Sequence, residues 1–225
     1  MTSFDEIRRQ KTTERDALIK AALPHVPFDG WSAKTLKSAA VSAGLGEEAA
    51  VRLFPGGAKD AVAHFQDMAD RMMLEDLAAV DLAAMKIRAR VTLAVRTRLE
   101  RWTPYREAVR CALALSPLPQ FAGGSLRGWY KTVDAIWRIC GDRATDFNFY
   151  TKRGLLAGVY ASTLLFWLDD RSENRAATWA FLDRRIANVI DFPKWKAKVT
   201  EGLKALPDPR SIMARIARRR PSSAA

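Results

Sequence analysis

The side chains that could do chemistry in this chain of 225 residues are few and scattered. His25 and His64 are its two histidines. Neither has a carboxylate or cysteine at metal-ligand spacing, so each is expected as a helical histidine satisfied locally, and no zinc or di-iron site is indicated. The stretch Pro55 to Asp60, PGGAKD, lacks the spacing of a phosphate loop and precedes no strand-to-helix turn. Cys111 and Cys140 are too few for a disulfide framework, which points to a reducing compartment. Asp169 beside Asp170, and Glu47 beside Glu48, are adjacent in sequence and point to different faces of a helix. No Ser, His and Asp order of the hydrolase kind stands out. We therefore expect a protein that is not an enzyme and carries no cofactor. The residues that do stand out are of the binding kind. Phe149 and Tyr150 sit among Asp146, Asn148, Thr151, Lys152 and Arg153, and aromatic surface in a charged rim is how a partner-binding patch is composed. The alternative is that both rings tuck beneath a neighbouring helix.

One predicted helix must position that patch. Thr145 and Asp146 are N-cap and first-turn residues, and no proline interrupts the run to Asp169. At helical spacing Phe147, Gly154, Gly158, Ala161 and Leu165 fall on one line, with Phe149, Leu156, Tyr160, Thr163 and Trp167 roughly opposite. Both lines are apolar after Arg153, so the second half is expected to be buried all round, in a core, a subunit interface or a lipid-filled cavity. Its 15 residues from Gly154 to Leu168 fall short of the ~20 that a membrane-spanning helix needs.

Charge supplies the next constraint. The formal net charge is +12, and two segments hold all of the excess: Met85 to Arg110, and Pro193 to the end. Basic segments of this kind attract polyanions, either nucleic acid or an anionic membrane surface. In the second segment Trp195, Val199, Leu203 and Leu206 make a narrow apolar stripe among lysines. A basic amphipathic helix of that composition lies in a bilayer interface, and its rival is a solvated tail. The first 16 residues mix acids with bases and have no apolar core, which reads as neither a secretory signal nor a transit peptide, and so as a cytosolic protein.

The remaining chain repeats the helical period and shows no strand-like alternation, so the expected class is all-α. A first helix is expected to about Val26, a second capped by Ser32, a third from Gly46 to Phe54, and longer ones from Lys59 to Leu82, Met85 to Trp102, Tyr105 to Leu115, Ser125 to Cys140 and Glu173 to Phe192. In the Met85 helix Arg88, Arg90, Arg96, Arg98 and Arg101 are read as a solvated basic face. The opening order is that of a helix-turn-helix. The third helix, however, begins with Glu47 and Glu48, which would face a phosphate backbone with like charge, so specific DNA binding is not expected. Two long consecutive apolar helices point to a homodimer.

The block WRICGDRATDFNFYTKRGLLAGVYASTLLFWLDD, with TWAFLDRRIANVI after it and LIKAALPHVPFDGWSAKTLKSAAVSAGL near the start, resembles the ubiquinone-biosynthesis accessory family, lipid-binding partners of the di-iron demethoxyubiquinone hydroxylase. The resemblance spans roughly residues 15 to 192 and is most specific at DFNFY. It implies a tetracycline-repressor-like fold, with a helix-turn-helix-like region over 1–57 and a lipid-binding and dimerisation domain over 58–192. The basic tail over 193–225 departs most from the family, and its membrane role is read from its own residues. The resemblance further implies that Asp146, Phe149, Tyr150 and Arg153 contact the hydroxylase, although the family often has Trp where Phe149 stands, so that indole N–H is absent here. An isoprenoid, quinone or phospholipid is then the expected ligand, with Trp137, Leu156, Val159, Tyr160, Thr163 and Trp167 around it. The protein would work at the inner membrane, on the matrix side if mitochondrial. The competing readings are a ligand-responsive transcription regulator of the tetracycline-repressor type, and non-specific nucleic-acid binding through the basic segments.

Overall fold

The structure, a computed structural model, describes residues 3–141 and 147–188. The chain divides into two units, residues 1–183 and 184–225, and of the second only the helical stretch 184–188 is described. Every regular element among the described residues is helical, as the 3.6-residue period requires.

Local chemistry sets the boundaries. Ser3 and Glu6 close a capping box at the start of α1 (Phe4–Ala22). The expected continuation to Val26 does not occur, because Pro24 lacks the N–H that the next turn needs. The chain restarts as the single turn α2 (Val26–Asp29), ended by Gly30 at φ 66°. The Ser32 hydroxyl accepts from the Thr35 N–H at 3.1 Å and starts α3 (Ala33–Ser42). The short α4 (Ala49–Leu53) follows, and α1, α3 and α4 pack on one another through Leu18, Leu36, Ala39 and Leu53. Next, α5 (Ala58–Ala78) runs on into the larger part of the molecule.

That part is built from α5 with α6 (Ile87–Glu100), α7 (Arg106–Leu115), α8 (Pro119–Ile139) and α9 (Phe147–Asp169). Sequence reasoning starts α8 at Ser125, after the two prolines Pro117 and Pro119. Pro119 instead occupies the first turn, where its missing N–H has no helical partner to lose. The last helix, α10, is described over residues 176–188. Its approach is fixed by Asp170, whose carboxylate accepts the N–H of Ser172 at 2.7 Å and both the N–H and hydroxyl of Thr178 at 2.9 and 2.5 Å. Burial alone would raise the Asp170 pKa, but these hydrogen bonds outweigh it and hold the group below the usual carboxylate range.

α9 runs unbroken from Phe147 to Asp169 as expected, but it is not buried all round. Leu156, Val159, Tyr160, Thr163, Leu164, Trp167 and Leu168 are covered by the fold. On the opposite side Gly154, Gly158 and Leu165 are exposed, Leu165 by 57% and Phe166 by 38%. The two lines drawn on the helix thus separate one covered face from one open apolar face. No described helix is long and apolar enough to cross a membrane.

The basic segment differs from expectation too. Instead of lining a solvated face, several of its cations are fasteners. Arg90 donates to the backbone carbonyls of Met85, Ala83 and Cys140. Arg106 and Arg110 donate to the carbonyls of Trp167, Leu168 and Asp170, supplying the positive charge that a helix C-terminus favours. Arg98 is buried, 8% exposed. Lys86, Arg88 and Arg96 do line an open groove of about 360 Å³ on the outer side of α6.

Candidate functional site

The covered face of α9 meets α5, α6, α7 and α8 around a partly enclosed cavity of about 50 Å³. Leu99, Ala112, Leu113 and Leu164 give it aliphatic walls, and Phe65, Trp102, Trp129, Tyr160 and Trp167 give it aromatic ones. The rings brace one another edge to face, with Phe65 and Trp102 centroids 4.8 Å apart and Trp129 and Tyr160 centroids 5.2 Å apart. Such contacts fix ring orientation as well as burying area.

A polar cluster interrupts these walls. Arg98 donates to Asp70 at 2.7 Å through Nε, to the Tyr160 hydroxyl at 2.5 Å through Nη1 and to Thr132 at 3.3 Å through Nη2. Thr132 in turn donates to Asp70 at 3.0 Å. Each charge is therefore neutralised inside the fold. Burial works against the Arg98 charge, but Tyr160 and Asp70 more than offset it, so its pKa is raised. Burial raises the Tyr160 pKa despite Arg98, so this phenol keeps its proton at neutral pH.

Sequence reasoning missed this cluster by reading Arg98 as solvated. A signal was present: Arg98 lies seven residues after Val91, on the covered side of α6, and a cation at a core position implies a buried acid. Asp70 sits in the same way on α5 beside Ala69 and Met73.

Of the side chains expected around a lipid, Tyr160 and Trp167 line the cavity. Leu156, Val159 and Thr163 share their covered face but pack away from it, the Thr163 hydroxyl turning back to the carbonyl of Val159 at 2.7 Å. Trp137 docks α8 on α9 by giving its indole N–H to the carbonyl of Lys152 at 3.1 Å. In the expected partner patch, Phe149 and Tyr150 fall in the first turns of α9, of which the backbone alone is described. Asp146 lies outside the described residues, as do Trp195, Val199, Leu203 and Leu206 of the tail. Arg153 is 5% exposed and reaches Asp134 of α8 at 2.7 Å, a placement inside the fold.

A second space, of about 70 Å³, lies farther along the seam between α5 and α8, lined by Val62, Phe121, Gly124 and Ser125. Gln66 belongs to the walls of both spaces and lies where a side chain at Gly128 would be. In the helix-turn-helix-like region, Glu47 pairs with Lys37 at 2.8 Å and Arg52 with Glu14 at 3.0 Å.

The fold is that of a tetracycline-repressor-type protein. A TetR transcriptional regulator from Nitrosomonas europaea superposes with a TM-score of 0.64 over 78% of this chain and 97% of that one, at 19% identity. The COQ9 family model matches residues 122–193, the stretch that holds most of α8, all of α9 and the described part of α10. The rat protein named ubiquinone biosynthesis protein COQ9, mitochondrial, is 35% identical over 77% of this chain and 58% of its own length. The human protein of that name is 33% identical over 77% and 57%, and the Drosophila melanogaster one 33% over 84% and 59%. The chain thus spans less than three fifths of these relatives. By the matched segment and these relatives, this chain belongs to the COQ9 family.

Proposed function

We propose that this chain is a non-catalytic lipid-binding accessory protein of ubiquinone biosynthesis, holding an isoprenoid or quinone lipid and presenting it to a membrane-associated di-iron hydroxylase. The observation that carries the reading is the aromatic cavity, which is formed in part by α8 and α9, within the COQ9-matched segment. A largely apolar space with a few convergent polar groups is the usual form of a small-molecule site. A whole polyprenyl chain does not fit in about 50 Å³, so uptake requires a wall to move. The α5–α8 seam is the natural route, because displacing Gln66 joins the two spaces along it.

The protein acts as a homodimer at a membrane surface, with the basic tail and the groove on α6 drawn to anionic lipid headgroups. The open apolar face of α9 is where a second copy packs: Gly154 and Gly158 leave free space above the helix, and Leu165 and Phe166 supply exposed apolar surface. A transcription regulator is the weaker reading. Its recognition element would be the five-residue α4, flanked by Glu47 and Glu48, with Arg52 already engaged by Glu14.

The hydroxylase contact belongs to the start of α9, and Tyr150→Ala tests it. In a pull-down from cells expressing both proteins, wild type should retain the hydroxylase and the variant should lose it. Equal recovery would contradict the assignment.

A further inference from the structure

Most cations of the basic segment are committed within the fold. Arg90, Arg106 and Arg110 are held by backbone carbonyls, Arg98 by Asp70 and Arg101 by Asp76. Lys86, Arg88 and Arg96 stand instead along the open groove of about 360 Å³ on α6, with Thr92 and Asp183 in its walls. Arg88, Thr92 and Arg96 follow one another at four-residue spacing, which sets them in one row on the helix, each arginine about 6 Å along the axis from Thr92. That distance is within the reach of an arginine side chain, so the two guanidiniums can close over the half-buried Thr92. Lys86, at the start of the same helix, brings the third positive charge.

Two of these cations are already held in place. Arg88 gives Nη2–H to the carbonyl of Asp183 at 3.1 Å. Arg96 gives Nε–H to Glu100 at 2.7 Å and lies over the Trp179 ring, 5.1 Å from its centroid. A guanidinium has five N–H donors, so each keeps others for a ligand. Asp183 and Glu100 offset part of the positive charge, and what the groove offers is therefore less a strong field than donors converging from three groups. A carboxylate has two oxygens in one plane and is satisfied by a single guanidinium fork. A phosphodiester has two charged oxygens. A phosphomonoester has three strong acceptor oxygens and a charge of about −1.5 to −2, which matches three converging cations.

We propose that the groove on α6 is a discrete site for a terminal phosphate, a phosphomonoester whose three oxygens accept from Lys86, Arg88 and Arg96 above Thr92. This rests on the reading of the groove as a surface that faces anions, and it narrows a diffuse attraction to one chemical group. A soluble phosphate ester and a lipid such as phosphatidic acid both carry that group.

The test follows the arginine Nε–H resonances of the full chain by NMR, with glycerol 3-phosphate, dimethyl phosphate and acetate added at one ionic strength. Glycerol 3-phosphate should shift Arg88 and Arg96 saturably and bind about tenfold tighter than either of the others. Arg96→Lys keeps the charge and removes the planar fork, and should weaken the ester about 5-fold. Arg127→Gln, which removes an exposed charge from α8, should leave its affinity unchanged. Equal affinities for the three anions, shifts that do not saturate, or equal losses in the two variants would overturn the proposal while leaving a general attraction to anionic membranes standing. The ranking on wild type needs no variant, so misfolding of Arg96→Lys leaves the test decisive. Flotation with phosphatidylcholine vesicles carrying phosphatidic acid then separates the two sources. Release of the protein by glycerol 3-phosphate but not by dimethyl phosphate assigns the site to a lipid headgroup. Saturable shifts with no such release assign it to a soluble ester and remove the groove from the membrane reading.

Discussion

Replacing Asp70 by Asn removes the countercharge of Arg98 and changes little in shape. The side chains of Arg98 and Asp70 are 9% and 11% exposed, and Nε lies 2.7 Å from Oδ1, so water cannot take over the lost partner without opening α5 from α6. Breaking a buried pair from one side costs about 3–5 kcal/mol, because an uncompensated charge stays inside. For a domain of this size each kcal/mol lowers Tm by about 2–4 °C, so Asp70→Asn should melt roughly 6–20 °C lower. Arg98→Met should fall in the same range, and the double variant should recover much of the loss, since neither charge is then buried. Urea unfolding of all four proteins gives the coupling directly, and about 2–3 kcal/mol is expected, near the top of the range for contacting residues. Additivity within about 0.5 kcal/mol would show that the two groups do not share a dry interior, and the account of the cavity's polar side would be wrong.

Two further perturbations probe other parts of the molecule. Gly158→Leu places a side chain where the single chain offers open space and replaces the poorest non-proline helix former, a local gain of up to about 1 kcal/mol. It should leave the protomer fold intact yet shift sedimentation from dimer to monomer, and an unchanged dimer would exclude this face as the interface. Burial, with Arg15 close by, holds the His64 pKa below its ordinary value. Its neutral ring donates Nε2–H to Asp16 at 2.6 Å. The unfolded chain therefore takes up this proton first, near pH ~6.5. Stability should be full above that pH and decline as pH falls through it toward the folded pKa. His64→Gln should flatten the decline, and an identical pH profile in both proteins would refute the assignment.

The all-helical fold was legible in the sequence because capping serines, helix-ending glycines and the 3.6-residue period act locally. Where the reading of boundaries slipped, a proline decided: Pro24 broke α1 early, and Pro119 opened α8 rather than preceding it. The two lines drawn on α9 fall on different faces, but the expectation that both are covered was wrong: one stays open, and apolar surface for a core and for another copy has the same composition. Tyr160 and Trp167 were found because they lie on that helix. Arg98, Asp70, Trp102 and Phe65 were not, since they come from α5, α6 and the turn after α6 and converge only through tertiary packing. The same limit hid the cations of α6 and α7, whose acceptors are backbone carbonyls with no side-chain signature.

The central claim is that the cavity holds a lipid. Native mass spectrometry of the full chain, purified without detergent from cells making ubiquinone, tests it most directly. The account predicts a bound neutral species with a prenylated-quinone or isoprenoid mass, lost from a Trp167→Arg variant that fills the space with charge. Protein at its bare sequence mass, which also takes up no quinone on addition, would contradict it.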